Sequence, residues 1–314
     1  MREFIINTND ANQRVDKYLS KAFKKLPQNL MYKYIRNKKI KVNRSRCEIS
    51  QRLNVGDTLQ LYIAEEFFDE PSNYDFLQSS GELNILFENE HLLVVNKEVG
   101  LLVHSDETVF QDTLIGRILK YLYMNKAYEP QNEMTFTPAL ANRIDRNTQG
   151  IVIAAKSAEG LRSINQLIKE RKIEKHYCCI VEGQMSKKQE HLIHYYKKNE
   201  ALNQAMINDH EFEGSTPVEL TYQVMDEKKN YSLLDIHLIT GKSHQIRAQL
   251  AHIQHPLYGD VKYHAKKTKR NTQALWSVSI TFNGIDENNV LYDLKGKKIQ
   301  INEKTYVDEF KSLL

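Results

Sequence analysis

The sequence predicts an α+β protein with a large domain, built on a mixed, largely antiparallel central sheet flanked by helices, and a small N-terminal α/β domain. Strand-like segments outnumber helical ones and often follow one another directly, which is typical of this class. The 314 residues are enough for two domains. Charge is also divided unevenly: residues 1–62 hold 14 Lys and Arg against 5 Asp and Glu, a net charge of +9, whereas residues 63–314 carry −5.

Residues 1–63 are predicted to form the small basic domain. Apolar residues recur at helical spacing in VDKYLSKAF (15–23), and a second short apolar face follows within 30–35. KIKVN (39–43) reads as a strand, and LNVGDTLQLYI (53–63) is predicted to be a hairpin-like pair around a Gly-Asp turn. Two small helices and short strands with basic residues on one side would suit a phosphate backbone.

The basic domain resembles the small RNA-binding domain that is named after a ribosomal small-subunit protein. RVDKYLSKA (14–22), IRNKKIKVN (35–43) and VGDTL (55–59) carry the resemblance. Contacts to phosphates would give affinity without sequence choice, although surface lysines also serve solubility. The residues expected to bind RNA are Arg14, Lys33, Arg36, Lys38, Lys39 and Lys41.

Residues 64–82 read as an acidic linker, because they contain no Lys or Arg and hold a proline, a glycine and several serines. The second domain is predicted to span 83–314. Its strands are predicted at 83–87, 92–97, 151–155, 175–183, 220–227 and 231–240, and its helices at 157–171 and 243–254.

The totals exclude several classes of protein. No apolar run approaches the roughly 18 residues of a membrane span, and the N-terminus has no signal-peptide core. Three cysteines give neither a disulfide framework nor metal-ligand spacing. His104, His244, His252 and His255 invite a zinc interpretation, but their spacings match no known zinc pattern. We therefore expect a cytoplasmic monomer without metal or other cofactor.

The segment NRIDRNTQG (142–150) places one carboxylate, Asp145, between Arg143 and Arg146, just before an apolar strand. A carboxylate between guanidiniums stays ionised at neutral pH, because nearby positive charge favours its charged form. Such a group suits a nucleophile better than a general acid. The alternative is a loop aspartate that only caps or pairs locally.

Four segments of the second domain, in this order, resemble the RluA-type pseudouridine synthases. That family detaches the uracil of an RNA uridine at its nitrogen, turns it and rejoins it to ribose through carbon 5. The resemblance implies that residues 83–314 are the catalytic domain and that RNA is the partner. The four segments are ILFENEHLLVVNKEVGLLVH (85–104), NRIDRNTQGIVIAAKS (142–157), EKHYCCIVEG (174–183) and LITGKSHQIRAQLAHIQHPLYGD (238–260).

The resemblance also assigns roles to residues. Asp145 matches the catalytic aspartate, Arg247 the arginine that pairs with it, and Tyr177 an active-site tyrosine that stacks on uracil and helps move the proton from carbon 5. Each of the last two has an ordinary alternative, a solvated helix arginine and a packing tyrosine. Arg143 is expected to help hold the base out of the stack, or alternatively to form a surface ion pair. Lys175 is expected to bind a phosphate, and Leu238 to support the pocket from below. The other expected substrate-binding residues are Lys242 and the pair Asn96 and Lys97, which shape a nearby turn.

Some positions depart from the family pattern. Asn142 stands where histidine is usual, Gln149 where serine is usual, Glu98 where proline follows the asparagine-lysine step, and Lys242 where arginine is common. The first two put substrate preference or loop shape in doubt rather than activity. Lys242 keeps the charge but loses the planar fork of arginine.

Three functions compete at this point. The first is an RNA pseudouridine synthase, whose target would be large-subunit ribosomal RNA, with transfer RNA as the alternative. The second is a catalytically silent RNA-binding or ribosome-assembly factor on the same scaffold, and the third is a glycosidase of free nucleosides, which leaves the +9 domain unexplained. The presence of Asp145 and Arg247 favours the first. Attack on the sugar and attack on the base both remain open.

Overall fold

The computed structural model describes residues 1–68, 74–104 and 111–313. The N-terminal part is a four-stranded antiparallel sheet in the order β1-β4-β2-β3, packed against two helices. Buried apolar residues of both helices and of the central strands form one core. The elements are β1 (Arg2–Ile5), α1 (Val15–Ala22), α2 (Gln28–Arg36), β2 (Ile40–Val42), β3 (Ser45–Arg46) and β4 (Thr58–Leu61).

The hairpin predicted at 53–63 is wrong. Leu53 is fully buried, but it lies outside any strand, and its N–H donates to the carbonyl of Gln13 at 3.0 Å. The chain then turns at Gly56, where φ is +85°, into β4, which pairs with β1 and β2. The apolar residues on the two sides of the turn serve the same core without pairing with each other.

The larger part contains an eleven-stranded sheet in the order β11-β10-β12-β13-β9-β14-β8-β6-β5, with β15 paired to β14 and β7 to β8. Its strands are β5 (Ile85–Glu88), β6 (Leu92–Lys97), β7 (Ala139–Leu140), β8 (Gln149–Ala155), β9 (Ile173–Glu182), β10 (Gln189–Asn199), β11 (Gln204–Asn208), β12 (Thr216–Lys228), β13 (Tyr231–Leu238), β14 (Leu275–Phe282) and β15 (Lys298–Gln300), and its helices are α3 (Leu114–Met124), α4 (Ala158–Lys169), α5 (Gln245–His252) and α6 (Lys304–Ser312).

The predicted α+β class, with a mixed and largely antiparallel sheet, is confirmed. The one parallel pairing among the described strands joins β14 to β8, while the other edge of β14 pairs antiparallel with β9. Strand β14 therefore connects two halves of the sheet that are otherwise separate. Gly150 lies at this junction with φ +123°, and a Cβ there would approach the carbonyl oxygen of Ser277 to 2.2 Å. The close approach of two backbones explains the glycine.

Helices cover both faces of the sheet. One core contains buried residues of α3 and α5, and this face carries the functional pocket. The other core contains buried residues of α4 and α6. In the part of the chain that the structure describes, no helix is both long and apolar enough to cross a bilayer.

Helix boundaries follow local signals. The helix predicted from residue 157 begins at Ala158, because the Ser157 side chain caps it and accepts from the Gly160 N–H at 3.0 Å. The helix predicted from 243 begins at Gln245, because His244 has a left-handed φ of +56°. Of the predicted linker, residues 69–73 lie outside the described residues; before them Phe68 joins the N-terminal core, and after them Phe76 joins the larger core.

Candidate active site

A pocket of about 480 Å³ opens on the face of the sheet that α3 and α5 cover, a volume within the range of small-molecule sites. It lies between the loop that precedes β8, the middle strands of the sheet and the start of α5. Seven of the nine residues that the sequence assigns to catalysis or substrate binding line it: Arg143, Asp145, Lys175, Tyr177, Leu238, Lys242 and Arg247.

Asp145 and Arg247 form the central contact of the pocket. Arg247 Nη1 donates to Asp145 Oδ2 at 2.8 Å, across 102 residues of sequence. The Arg247 side chain is only 7% exposed, whereas that of Asp145 is 25% exposed. The arginine is therefore a buried support, and the carboxylate is the member of the pair that a ligand can reach. The solvated-arginine alternative is wrong.

Asp260, which the sequence reasoning did not identify, anchors Arg247 from behind. Arg247 Nε and Nη2 donate to the two oxygens of Asp260 at 2.6 and 2.7 Å, and the Asp260 side chain is 2% exposed. Burial alone would lower the pKa of Arg247, but Asp260 and then Asp145 raise it above its ordinary value. The fork thus bonds two carboxylates at once, which fixes where Nη1 points. The sequence signal was a lone aspartate after Gly259, easily read as a turn.

His244 lines the same side of the pocket, and Tyr263 lies behind it. The sequence reasoning considered His244 only as a zinc ligand and did not identify Tyr263. The Tyr263 ring lies 5.0 Å from the Arg247 guanidinium carbon, and its hydroxyl is 3.0 Å from His244 Nδ1. His244 Nε2 is 3.8 Å from Asp145 Oδ2. The pKa of His244 lies below its ordinary value, mainly because of burial, which Asp145 partly opposes. A largely neutral imidazole next to the carboxylate leaves Arg247 as its main positive partner.

The loop that carries Asp145 is tied to the end of β6. Lys97 is 1% exposed, and its ammonium donates to the carbonyls of Glu98, Leu101 and Arg146 at 2.7, 3.0 and 2.8 Å. Gly100 N–H donates to the same Arg146 carbonyl at 2.9 Å. Burial lowers the pKa of Lys97 to about 8. Because its N–H groups are used internally, we expect Lys97 to shape the loop rather than to contact substrate.

Lys175 and Tyr177 lie on one face of β9 and line the pocket floor. Burial lowers the pKa of Lys175. Burial also raises the pKa of Tyr177 to about 12; a hydrogen bond with Ser277 opposes this rise, and Asp145 adds to it. At neutral pH the tyrosine therefore keeps its proton, and it offers the pocket a ring edge or face together with a neutral hydroxyl.

The remaining sequence-predicted residues take different places. Leu238, at the end of β13, is 7% exposed beneath the pocket, while Arg143 and Lys242 are exposed at its mouth. Among the described residues, no carboxylate lies within 4.0 Å of the Arg143 guanidinium. Asn96, on β6, does not line the pocket. Asn142 bonds the neighbouring strand, since its Oδ1 accepts from Ile153 N–H at 2.8 Å, and this accounts for a polar residue there without a catalytic role.

The basic N-terminal domain presents most of its expected RNA-binding residues to solvent. Lys33, Arg36, Lys38 and Lys39 are exposed, and Lys41 is partly buried. Arg14 is also exposed, but its guanidinium donates to both oxygens of Asp16 at 3.0 and 2.9 Å. Its charge is therefore neutralised within the domain, and it contributes less to an anion-binding surface than the sequence suggested.

One group of side chains has the ligand types of a metal site. His194, Asp209 and His252 lie near one another, with His252 Nε2 2.9 Å from Asp209. However, the amide of Gln249 is oriented by Gln245, whose Nε2 donates to Gln249 Oε1. The amide nitrogen of Gln249 therefore faces His194 and donates to its Nδ1 at 3.0 Å. In the neutral His194 ring the proton then lies on Nε2, which leaves no lone pair for a cation. The cluster gives no support to a metal centre, and the expectation of no metal stays a prediction.

The comparisons with known proteins agree on one family. A model of the RNA pseudouridylate synthase family matches residues 91–252. The chain is 30% identical over 310 residues to the ribosomal large subunit pseudouridine synthase C of Buchnera aphidicola subsp. Schizaphis graminum, covering 94% of this chain and 91% of that protein. It is 27% identical over 264 residues to the protein of the same name from Vibrio parahaemolyticus, covering 82% and 78%.

Solved structures support the fold. Human RNA Pseudouridylate Synthase Domain Containing 4 matches with a TM-score of 0.56 at 18% identity, over 73% of this chain and 92% of that one. Human RNA Pseudouridylate Synthase Domain Containing 1 matches with a TM-score of 0.53 at 16% identity, over 78% and 98%. Together with the family model and the relatives, these matches show that the chain belongs to the RNA pseudouridylate synthases, the isomerases that convert uridine in RNA to pseudouridine.

Proposed function

We propose that this RNA pseudouridine synthase acts on uridines of large-subunit ribosomal RNA and uses Asp145 as its nucleophile. The observation that carries the proposal is the contact between a pocket-exposed Asp145 and a buried Arg247, at 2.8 Å, in a pocket large enough for one nucleobase. The ribosomal target rests on the names of the relatives, which are large-subunit enzymes. A cytoplasmic, monomeric protein is part of the same proposal.

Each pocket residue has a distinct part in this proposal. Asp145 donates an electron pair either to the ribose carbon, as the bond from that carbon to the uracil nitrogen breaks and its electrons stay on the uracil, or to carbon 6 of the ring, as the electrons of the C5–C6 double bond pass to the ring carbonyl. In both courses the uracil rejoins ribose through carbon 5, and the hydrogen of that carbon then leaves as a proton. Arg247 keeps the carboxylate ionised and aimed. Tyr177 packs on the extruded uracil. Because its pKa is about 12, it serves as a stacking surface and hydrogen-bonding group rather than as a base at neutral pH. Lys175 and Lys242 hold phosphates or polar base edges.

Label release tests the catalytic assignment. Transcripts of large-subunit ribosomal RNA, tritiated at uracil carbon 5, lose label when pseudouridine forms. We expect Asp145→Asn to release label at less than about a thousandth of the wild-type rate. The matched control is Asp235→Asn, because Asp235 lies on the opposite face of the sheet, bonded to His176 at 3.0 Å. Persistent release by Asp145→Asn removes Asp145 from the chemistry.

The target is tested with the same assay. Small-subunit ribosomal RNA and transfer RNA transcripts are presented in parallel, and we expect label release from large-subunit RNA alone. Release from transfer RNA only would contradict the ribosomal target and leave the activity intact. A wild-type protein that binds these RNAs without releasing label from any of them would instead indicate the silent assembly factor.

A further inference from the structure

The N-terminal domain is fixed to the catalytic domain through a buried carboxylate. Asp10 is fully buried, although it lies in a loop of the small domain. Its Oδ1 accepts from the backbone N–H and the hydroxyl of Thr135 at 2.9 and 2.6 Å, and its Oδ2 accepts from Met134 N–H at 3.2 Å. A carboxylate removed from water is stable only while such donors are in place.

Neighbouring residues extend this contact. Asn7 Nδ2 donates to the Asn132 carbonyl at 2.6 Å, and Gln13 Nε2 donates to the Thr135 hydroxyl at 2.7 Å. Asn9 spans two elements: its Nδ2 donates to Glu133 at 3.0 Å, and its Oδ1 accepts from the first N–H of α4 at 3.0 Å. The Met134 side chain packs against the N-terminal core. We call this set, residues 7–13 with residues 132–135 and the start of α4, the Asp10 latch.

The latch lies on the chain segment that leads into the active site. Residues 132–135 run into β7, which pairs with β8, and the loop between β7 and β8 carries Asp145. The hydrogen bonds of the latch therefore join the N-terminal domain, with the basic side chains of α2 and β2, to the domain that holds the catalytic carboxylate. Their separation is set by the latch rather than by the acidic linker, because a flexible linker alone would let it vary.

We propose that the Asp10 latch makes the enzyme a two-point reader of RNA. In this view the enzyme selects RNAs that hold a stem and the target uridine at a fixed distance. That distance matches the separation between the basic side chains of α2 and β2, which would bind the stem, and the pocket, which would take the uridine. Asp10 is then a positioning residue for substrate selection. The inference rests on the RNA-binding role that the sequence predicts for the N-terminal domain, and it makes a large folded RNA a better substrate than an isolated short hairpin.

Effective concentration gives the expected size of the effect. Once one part of an RNA is bound to either surface, the contact with the other surface forms within the same complex, at a high effective concentration. Loosening the spacing between the two surfaces lowers that concentration, and so the affinity, without removing either contact. For an RNA that reaches both surfaces, Asp10→Ala should raise KM about tenfold and leave kcat within twofold. For a short hairpin that fills only the pocket, neither constant should change, so the hairpin reports on whether the variant is folded.

The experiment uses the full chain and both RNAs, with tritium release as the readout. Thr135→Val removes only the hydroxyl partner of Asp10 and should raise KM on the large RNA in the same direction but less. The double variant Lys33→Glu with Arg36→Glu tests the underlying RNA-binding role and should raise KM on the large RNA, with a weaker dependence on salt.

The outcomes separate the two ideas. If the charge reversal raises KM on the large RNA but Asp10→Ala and Thr135→Val do not, the N-terminal domain binds RNA and the latch proposal is overturned. If the charge reversal leaves KM unchanged, the proposed RNA-binding role itself fails. If Asp10→Ala lowers activity equally on both RNAs, its effect is structural, and the two-point proposal is again overturned.

Discussion

The anchoring of Arg247 by Asp260 leads to a quantitative prediction for Asp260→Asn. The two side chains are 7% and 2% exposed and share two hydrogen bonds of 2.6 and 2.7 Å. Asparagine keeps one acceptor but turns its amide N–H₂ toward a guanidinium N–H. Breaking a buried charge pair costs about 3–5 kcal/mol. Because Asp145 still neutralises part of the arginine, we expect a loss near the lower end, about 3 kcal/mol of unfolding free energy.

The same substitution should slow catalysis. Without the Asp260 carboxylate the Arg247 guanidinium is free to turn, and Asp145 can then move. A displacement of about 1 Å at a reacting group costs on the order of 100-fold in rate. That factor corresponds to about 2.7 kcal/mol of activation free energy. We therefore expect kcat to fall about 100-fold, with KM changed much less, because Asp260 does not line the pocket.

Two assays check this prediction together. Denaturant unfolding gives the stability change, and single-turnover tritium release gives the rate of the chemical steps, both compared with Asp235→Asn. A folded Asp260→Asn protein whose rate stays within threefold of wild type would refute the idea that Asp260 aims Arg247. A large loss of stability without loss of rate would show that Asp260 stabilises the fold but does not orient Arg247 for catalysis.

Three further predictions follow from other contacts. Burial lowers the Lys97 pKa to about 8, so between pH 8 and about 10.5 this group binds more protons in the unfolded chain than in the folded one. From pH 8 to pH 10, the unfolding free energy of the wild type relative to that of Lys97→Met should therefore rise by about 2 kcal/mol, measured by denaturant titration. The difference isolates Lys97, because Cys178 and Cys179, whose pKa values burial raises, change stability in the opposite direction in both proteins. Over the same range wild-type kcat should fall, since a neutral amine has two N–H groups for three carbonyls; a flat pH–rate profile would contradict this. Gly150→Ala should cost at least about 3 kcal/mol, because its Cβ meets the Ser277 carbonyl at 2.2 Å, and an unchanged thermal midpoint would show that β8 and β14 can separate there. Tyr177→Phe should keep kcat/KM within about threefold and Tyr177→Ala should lower it about 10- to 100-fold, as expected for stacking on one base, whereas equal losses would assign the function to the hydroxyl.

The two residues of the central pair were predicted on different grounds. Asp145 carries a local signal, because it stands between two arginines, whereas Arg247 was assigned by the family resemblance and its spacing alone is that of a solvated helix arginine. Their 2.8 Å contact bridges 102 residues and depends on strand order, which no local pattern encodes. The resemblance to a family supplied that long-range information.

Residues that support the site were harder to predict. Asp260 and Tyr263 act on Arg247 through the return of the chain after α5, and in sequence they look like an ordinary turn and an ordinary aromatic. Lys97 was singled out, but its burial beneath three carbonyls reverses the usual expectation for a lysine. The false hairpin at 53–63 has the same origin, because Leu53 is buried by tertiary packing that alternation alone does not distinguish from a strand.

The position of β14 has a consequence for synthesis on the ribosome. The strands that deliver Asp145 and Tyr177 belong to different halves of the sheet, and they are joined through a strand that begins only at Leu275. A nascent chain therefore has every charged side chain of the pocket, the last of them Arg247, outside the exit tunnel before it has strand β14, which joins the two walls. We therefore expect no RNA modification by a chain whose β14 has not yet emerged, so that the first turnover waits until nearly the whole polypeptide is outside the tunnel.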